Sequence, residues 1–101
     1  MELTVELYET PDGGPVVEAE LEAIEGGTPV LYDLLAAGLN KLRRRDYHRP
    51  PLGRKDTARA AWFFHAGQRI IVVRCFVKKS QKMPRTELKL AHKRMAEYLA
   101  R

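Results

Sequence analysis

At 101 residues, 45% of them apolar, the chain can build one modest hydrophobic core and is too short for two, so residues 1–101 are expected to form a single domain. No run approaches the roughly 18 consecutive apolar residues of a membrane span. Acids stand near the N-terminus where a secretory leader would carry bases, so a cytoplasmic location without membrane attachment is expected.

The formal net charge of +5 is very unevenly divided: residues 1–40 hold nine acids and no Lys or Arg, while all 18 Lys and Arg, with the four remaining acids, come from Lys41 onward. Such asymmetry draws a polyanion to one side of a molecule, and nucleic acid is the first candidate. The competing reading is that the two parts neutralise each other across the folded interface.

In chain order, Leu3, Val5 and Leu7 alternate with Glu2, Thr4, Glu6 and Tyr8, the period-two pattern of a strand with one buried face. Pro11-Asp12-Gly13-Gly14 reads as a turn. Val17, Leu21 and Ile24 recur at helical spacing, with Glu18, Glu20, Glu22 and Glu25 mostly outside them, which predicts a short acidic helix ended by Gly26-Gly27. Thr28 is placed to cap a second helix with Pro29 at its first position. The spacing of Leu31, Leu34, Leu35, Leu39 and Leu42 carries that helix to about Arg45.

Arg43 to Lys55 holds seven basic side chains, counting His48, and two adjacent prolines, and is expected to be an exposed basic loop. Thr57 to Phe64 and Arg69 to Lys78 then read as two strands of a hairpin, joined by His65-Ala66-Gly67-Gln68. Pro84 opens a last helix with Leu88, Ala91, Met95, Tyr98 and Leu99 as its apolar stripe. The fold class expected is α+β: a small twisted, mostly antiparallel sheet of three or four strands packed against two N-terminal helices and one C-terminal helix.

Few residues suggest chemistry. Cys75 stands alone in an apolar run, which excludes an intrachain disulfide and a Cys-based zinc site and marks it as a buried strand residue. His48, His65 and His92 lack zinc-type spacing, so no metal or other cofactor is expected. In the last strand, alternation puts Ile71, Val73, Cys75 and Val77 on one face and Ile70, Val72, Arg74, Phe76 and Lys78 on the other.

That second face turns from apolar to cationic as the strand leaves the core, and Lys79, Gln81 and Lys82 follow just before a helix whose first turn offers unpaired N–H groups. Phosphate is favoured at such a place. Phe76, between Arg74 and Lys78, is either a ring for stacking on an unpaired base or a core residue. Arg59 and Phe63 share a face of the neighbouring strand and can be paired beside Arg74 and Phe76.

The run Trp62-Phe63-Phe64, a glycine turn, RIIVVRCFVKKSQKMP and a helix bearing Glu87, Ala91 and Arg94 together resemble the C-terminal half of RelE/HigB-type toxins, in the phage-derived branch. The opening VELYETPDGGPV is similar to that branch's first strand and turn. The resemblance implies a RelE-like fold and the toxin of a type II toxin–antitoxin pair, an endoribonuclease that cuts messenger RNA on the ribosome without a metal. Its implied partners are messenger RNA, the ribosome and a cognate antitoxin of the helix-turn-helix type. It also implies catalytic roles for Arg59, Lys78, Lys79 and Lys82 and RNA-binding roles for Arg43, Arg74, Phe76 and Gln81.

Crowding of the three lysines makes one of them a candidate for proton exchange; the alternative is that they only bind phosphate. The middle of the chain departs from the family pattern. A strand close to G-L-Y-E-L-R either falls on Gly38 to Arg43, keeping Arg43 as the matching arginine, or is replaced by helix, which the leucine spacing favours. A non-catalytic relative of the same fold, a ParE-like gyrase inhibitor or a plain RNA-binding module, is the alternative function.

Overall fold

Three strands and three helices follow one another as β1 (Thr4–Leu7), α1 (Val16–Gly27), α2 (Pro29–Leu42), β2 (Thr57–His65), β3 (Arg69–Lys78) and α3 (Arg85–Leu99). The computed structural model describes residues 3–43, 57–78 and 84–101. The expected basic loop beyond Arg43, with His48, and the residues Lys79, Gln81 and Lys82 lie outside them. The sheet is open and mixed, in the order β1-β3-β2, with β1 parallel and β2 antiparallel to the central β3. This is an α+β fold, consistent with a RelE-like one. No helix among the described residues is long and apolar enough to cross a membrane.

The core forms where β3 is covered on both sides: Ile70, Ile71 and Val72 are fully buried and cluster with Val17, Ile24, Leu35, Leu42 and Ala91 from the helices. Gly38 to Arg43 belongs to α2 and its C-cap, as the leucine spacing predicts. Thr28 joins α1 and α2, but its hydroxyl donates back to the Ile24 carbonyl at 3.2 Å. It therefore satisfies the end of α1 and not, as expected, the start of α2. The hairpin turn after His65 uses positive φ at Ala66 (55°) and Gly67 (77°), the left-handed region that lets two twisted strands reverse.

One expectation about β3 fails. Ala61 pairs with Arg74 but Trp62 pairs with Val72, so Val73 is an extra residue, a β-bulge. Paired residues share a face. Ile70 and Val72 therefore lie with Cys75 and Val77, and Ile71 moves to the face of Arg74, Phe76 and Lys78. Simple alternation across Arg69 to Lys78 is broken by that single insertion, which also lets both faces of the strand's first half be apolar. The face holding Arg69, Ile71 and Arg74 is covered by α3: Tyr98 stacks edge-on to Phe63 and His65, and Glu87 pairs with Arg74.

Candidate nucleic-acid interface

The site region is the far end of the β2–β3 hairpin. There Arg59 is paired directly with Phe76, and Thr57 with Lys78. Direct cross-strand partners stand about 5 Å apart at Cβ and diagonal ones about 7–8 Å, so Arg59 has Arg74 and Lys78 as its diagonal neighbours on one face. Lys78 is the last residue of β3 and only 6% exposed, the one buried charged residue of the described core. Lys79, Gln81 and Lys82 follow it in sequence and lie outside the described residues. α3 begins at Arg85: Pro84 is its extended N-cap, and the Pro84 carbonyl accepts from the Glu87 and Leu88 amides at 3.1 and 3.2 Å.

Arg43 is not brought to this end. Its carbonyl accepts the Leu3 amide hydrogen, and the next residue, Thr4, pairs with Arg69 at the start of β3. Nine residues of strand separate Arg69 from Lys78, roughly 30 Å at about 3.3 Å per residue. Arg43 is exposed and stands near the opposite end of the sheet from Arg59, which is paired with Phe76. Replacing the G-L-Y-E-L-R strand by helix is the physical reason.

Arg74 is engaged elsewhere. Its guanidinium pairs with Glu20 at 2.8 Å and with Glu87 at 2.9 Å, and lies 6.0 Å from the centre of the Phe76 ring. Burial works against its charge, but the hydrogen bonds it donates to Glu87 and Glu20 outweigh burial and hold its pKa above the ordinary value. Phe76 is itself buried. In this arrangement Arg74 and Phe76 support the interior of the hairpin, and neither presents a free cation or an open ring to RNA.

Glu20 is the residue that sequence reading missed. β1 covers only the first half of β3, from Arg69 to Val72, and leaves the edge beyond it open. Glu20 fills that edge: one carboxylate oxygen accepts the Cys75 amide hydrogen at 3.0 Å, and the other meets Arg74 and Arg94, the latter at 2.7 Å. Arg94 of α3 in turn donates to the Val73 carbonyl at 2.8 Å. Two side chains thus satisfy backbone groups that a further strand would have paired. The signal was present: Glu20 is three residues after Val17 and four before Ile24, so helical geometry puts it on the buried face of α1 and not with the exposed Glu18, Glu22 and Glu25. Cys75, inside this knot, is buried as expected, and desolvation pushes its thiol up to about 12.

Residues 29–96, well over half the chain, match the family described as Phage derived protein Gp49-like (DUF891). The chain belongs to this family. The Gp49-like family is phage-derived and toxin-like, within the RelE/toxin-like superfamily, and such a family implies an antitoxin partner. None of the curated proteins matches the chain. The match spans α2, both hairpin strands and most of α3, so the Gp49-like portion contains Arg59 and Lys78 together with the whole segment Lys79 to Pro84.

Proposed function

We propose that this Gp49-like protein is a RelE/HigB-type toxin of a type II toxin–antitoxin system, an endoribonuclease that cuts messenger RNA on the ribosome without a metal and is silenced by a helix-turn-helix antitoxin in the cytoplasm. The observation that carries the proposal is the diagonal placement of Arg59 and Lys78 on one face of the hairpin end, with Lys79, Gln81 and Lys82 next in sequence.

In the reaction, the ribose 2′-oxygen forms a bond to the adjacent phosphorus, the bond to the 5′-oxygen breaks, and a 2′,3′-cyclic phosphate and a 5′-hydroxyl result. One proton leaves the 2′-hydroxyl and one reaches the departing 5′-oxygen. Arg59 stabilises charge on the crowded phosphorane, and a lysine of the 78–82 segment carries a proton or holds the phosphate. Arg59→Ala and Lys82→Ala, made separately, are expected to relieve growth arrest on induced expression while leaving the far-ultraviolet circular dichroism unchanged. Full toxicity from both variants overturns the proposal.

One observation favours a second reading, a non-catalytic protein of the same fold. Lys78 and Phe76 are buried and Arg74 is ion-paired, so fewer groups face a substrate than the family pattern implies. New RNA ends at ribosome-bound codons support cleavage; supercoiling defects with intact RNA support a gyrase inhibitor, and neither effect leaves an RNA-binding module.

A further inference from the structure

The exposed apolar side chains are not scattered. Of the five large ones among the described residues, Val30 (71% exposed) and Leu34 (57%) stand on α2, and Leu88 (41%) and Leu99 (52%) on α3. Val30 and Leu34 are about one helical turn apart and Leu88 and Leu99 about three, so each pair marks a stripe along one side of its helix.

Each stripe is bordered by charge of one sign, and the two signs are opposite. α1 and α2 pack against each other, and their exposed sides carry Glu18, Glu22, Glu25 and Asp33. The first bases of the chain, Lys41 and Arg43, come only at the far end of α2. On α3, Arg85, Lys89 and Lys93 recur every four residues, all exposed and turned roughly 60–140° from Leu88. The two acids of that helix are occupied, Glu87 by Arg74 and Glu97 by Arg101. The spans also agree: Glu18 to Glu25 covers about 10.5 Å of helix and Arg85 to Lys93 about 12 Å, at about 1.5 Å per residue.

Within one chain these surfaces do not meet. Among the described residues Glu20 with Arg94 is the one ion pair that joins α1 or α2 to α3, and none of the outer carboxylates or outer bases takes part in any. Either face turned against its own copy would set like charges opposite one another, which costs several kcal/mol. The acidic face and the basic face fit each other, and one chain carries both.

We propose that the α1–α2 face of one molecule takes α3 of a second copy of this chain, head to tail, with Leu88 and Leu99 seated by Val30 and Leu34 and the basic stripe opposite the carboxylates of α1. The contact joins two different surfaces, so each molecule keeps one of them open and assembly continues with concentration unless the rotation closes a ring. Attraction between exposed charges makes it stronger at low salt. The inference goes beyond the nuclease reading and holds whether or not the protein cuts RNA.

Sedimentation velocity of the full chain, from micromolar to millimolar concentration, reads the assembly. The weight-average mass is expected to rise with concentration in low salt and to return toward the monomer in 1 M salt, where charges are screened beyond about 3 Å. Glu22→Lys spoils one face and Lys89→Glu the other; both positions are exposed, and each variant should need about tenfold or more protein to associate, because like charges then meet. An equimolar mixture of the two variants should associate again, since each keeps the face that the other lacks, and a variant that had failed to fold could not be rescued in this way. The proposal is overturned by a monomer throughout the range in low salt, by association that strengthens with salt, by either variant assembling as the unaltered chain does, or by a mixture that stays monomeric.

Discussion

Replacing Glu20 by Ala removes one carboxylate that serves three partners at once. The two guanidiniums of Arg74 and Arg94, 22% and 14% exposed, lose their shared counter-charge, and the Cys75 amide loses its acceptor. Glu87 still pairs with Arg74, so the loss falls mainly on Arg94 and the strand edge. Breaking a mostly buried pair from one side costs about 3–5 kcal/mol, within which the orphaned amide accounts for roughly 1–3. Against a total of about 5–15 kcal/mol for a domain, that is a large fraction. In urea, with a slope of about 2 kcal/mol per molar, the midpoint should fall by roughly 2 M. Glu20→Gln keeps an acceptor for Cys75 but no charge, and should recover less than half of the loss. Because partly buried pairs are weakly screened, the deficit should persist in 1 M salt. A loss under about 1 kcal/mol, or one that vanishes in salt, would refute the view that Glu20 closes the edge of β3.

Other consequences are more local. The Glu6 carboxyl sits below its usual range because Arg69 donates a hydrogen bond to it, with burial opposing. Its folded-state pKa is depressed, so its stabilisation is present above the ordinary carboxylate value near 4.5 and is lost as pH falls through the lower folded value; Glu6→Gln should flatten the acid limb of a stability-against-pH curve. Cys75, with its thiol pushed up to about 12, should resist alkylation at pH 8 in the native protein and react only on unfolding, as thiol labelling with and without urea can check. Gly14→Ala would put a Cβ 2.5 Å from Thr10 Oγ1, the atom that accepts the Gly14 amide hydrogen at 2.8 Å; thermal melts should show a loss of about 0.5–1.5 kcal/mol.

Much of the architecture was written in local patterns. The leucine spacing from Leu31 to Leu42 fixed α2 against a tempting strand register, and the hairpin was legible from two apolar runs around Ala66-Gly67. What escaped depends on contacts between distant elements. Nothing in RIIVVRCFVK announces a bulge at Val73, because both faces of that half-strand are apolar and periodicity has nothing to count. The fate of Arg74 was likewise hidden: a basic residue beside an aromatic reads as a ligand for RNA until Glu20 and Glu87, 54 and 13 residues away in the sequence, are seen to claim it. Arg59 was placed by motif and by strand pairing together. Arg43 was placed by motif alone, and the helix carried it to the other end of the sheet.

The central claim is that the hairpin end around Arg59 cuts RNA. Purified protein should be mixed with ribosomes stalled on a defined message in the presence of EDTA, and the RNA ends sequenced by a method selective for 2′,3′-cyclic phosphates. Cleavage within the ribosome-bound codon is expected from the unaltered protein, reduced at least about 100-fold in Arg59→Ala, a loss of transition-state stabilisation near 3 kcal/mol. No cyclic-phosphate ends from the unaltered protein, or the same ends at the same rate from Arg59→Ala, would contradict it.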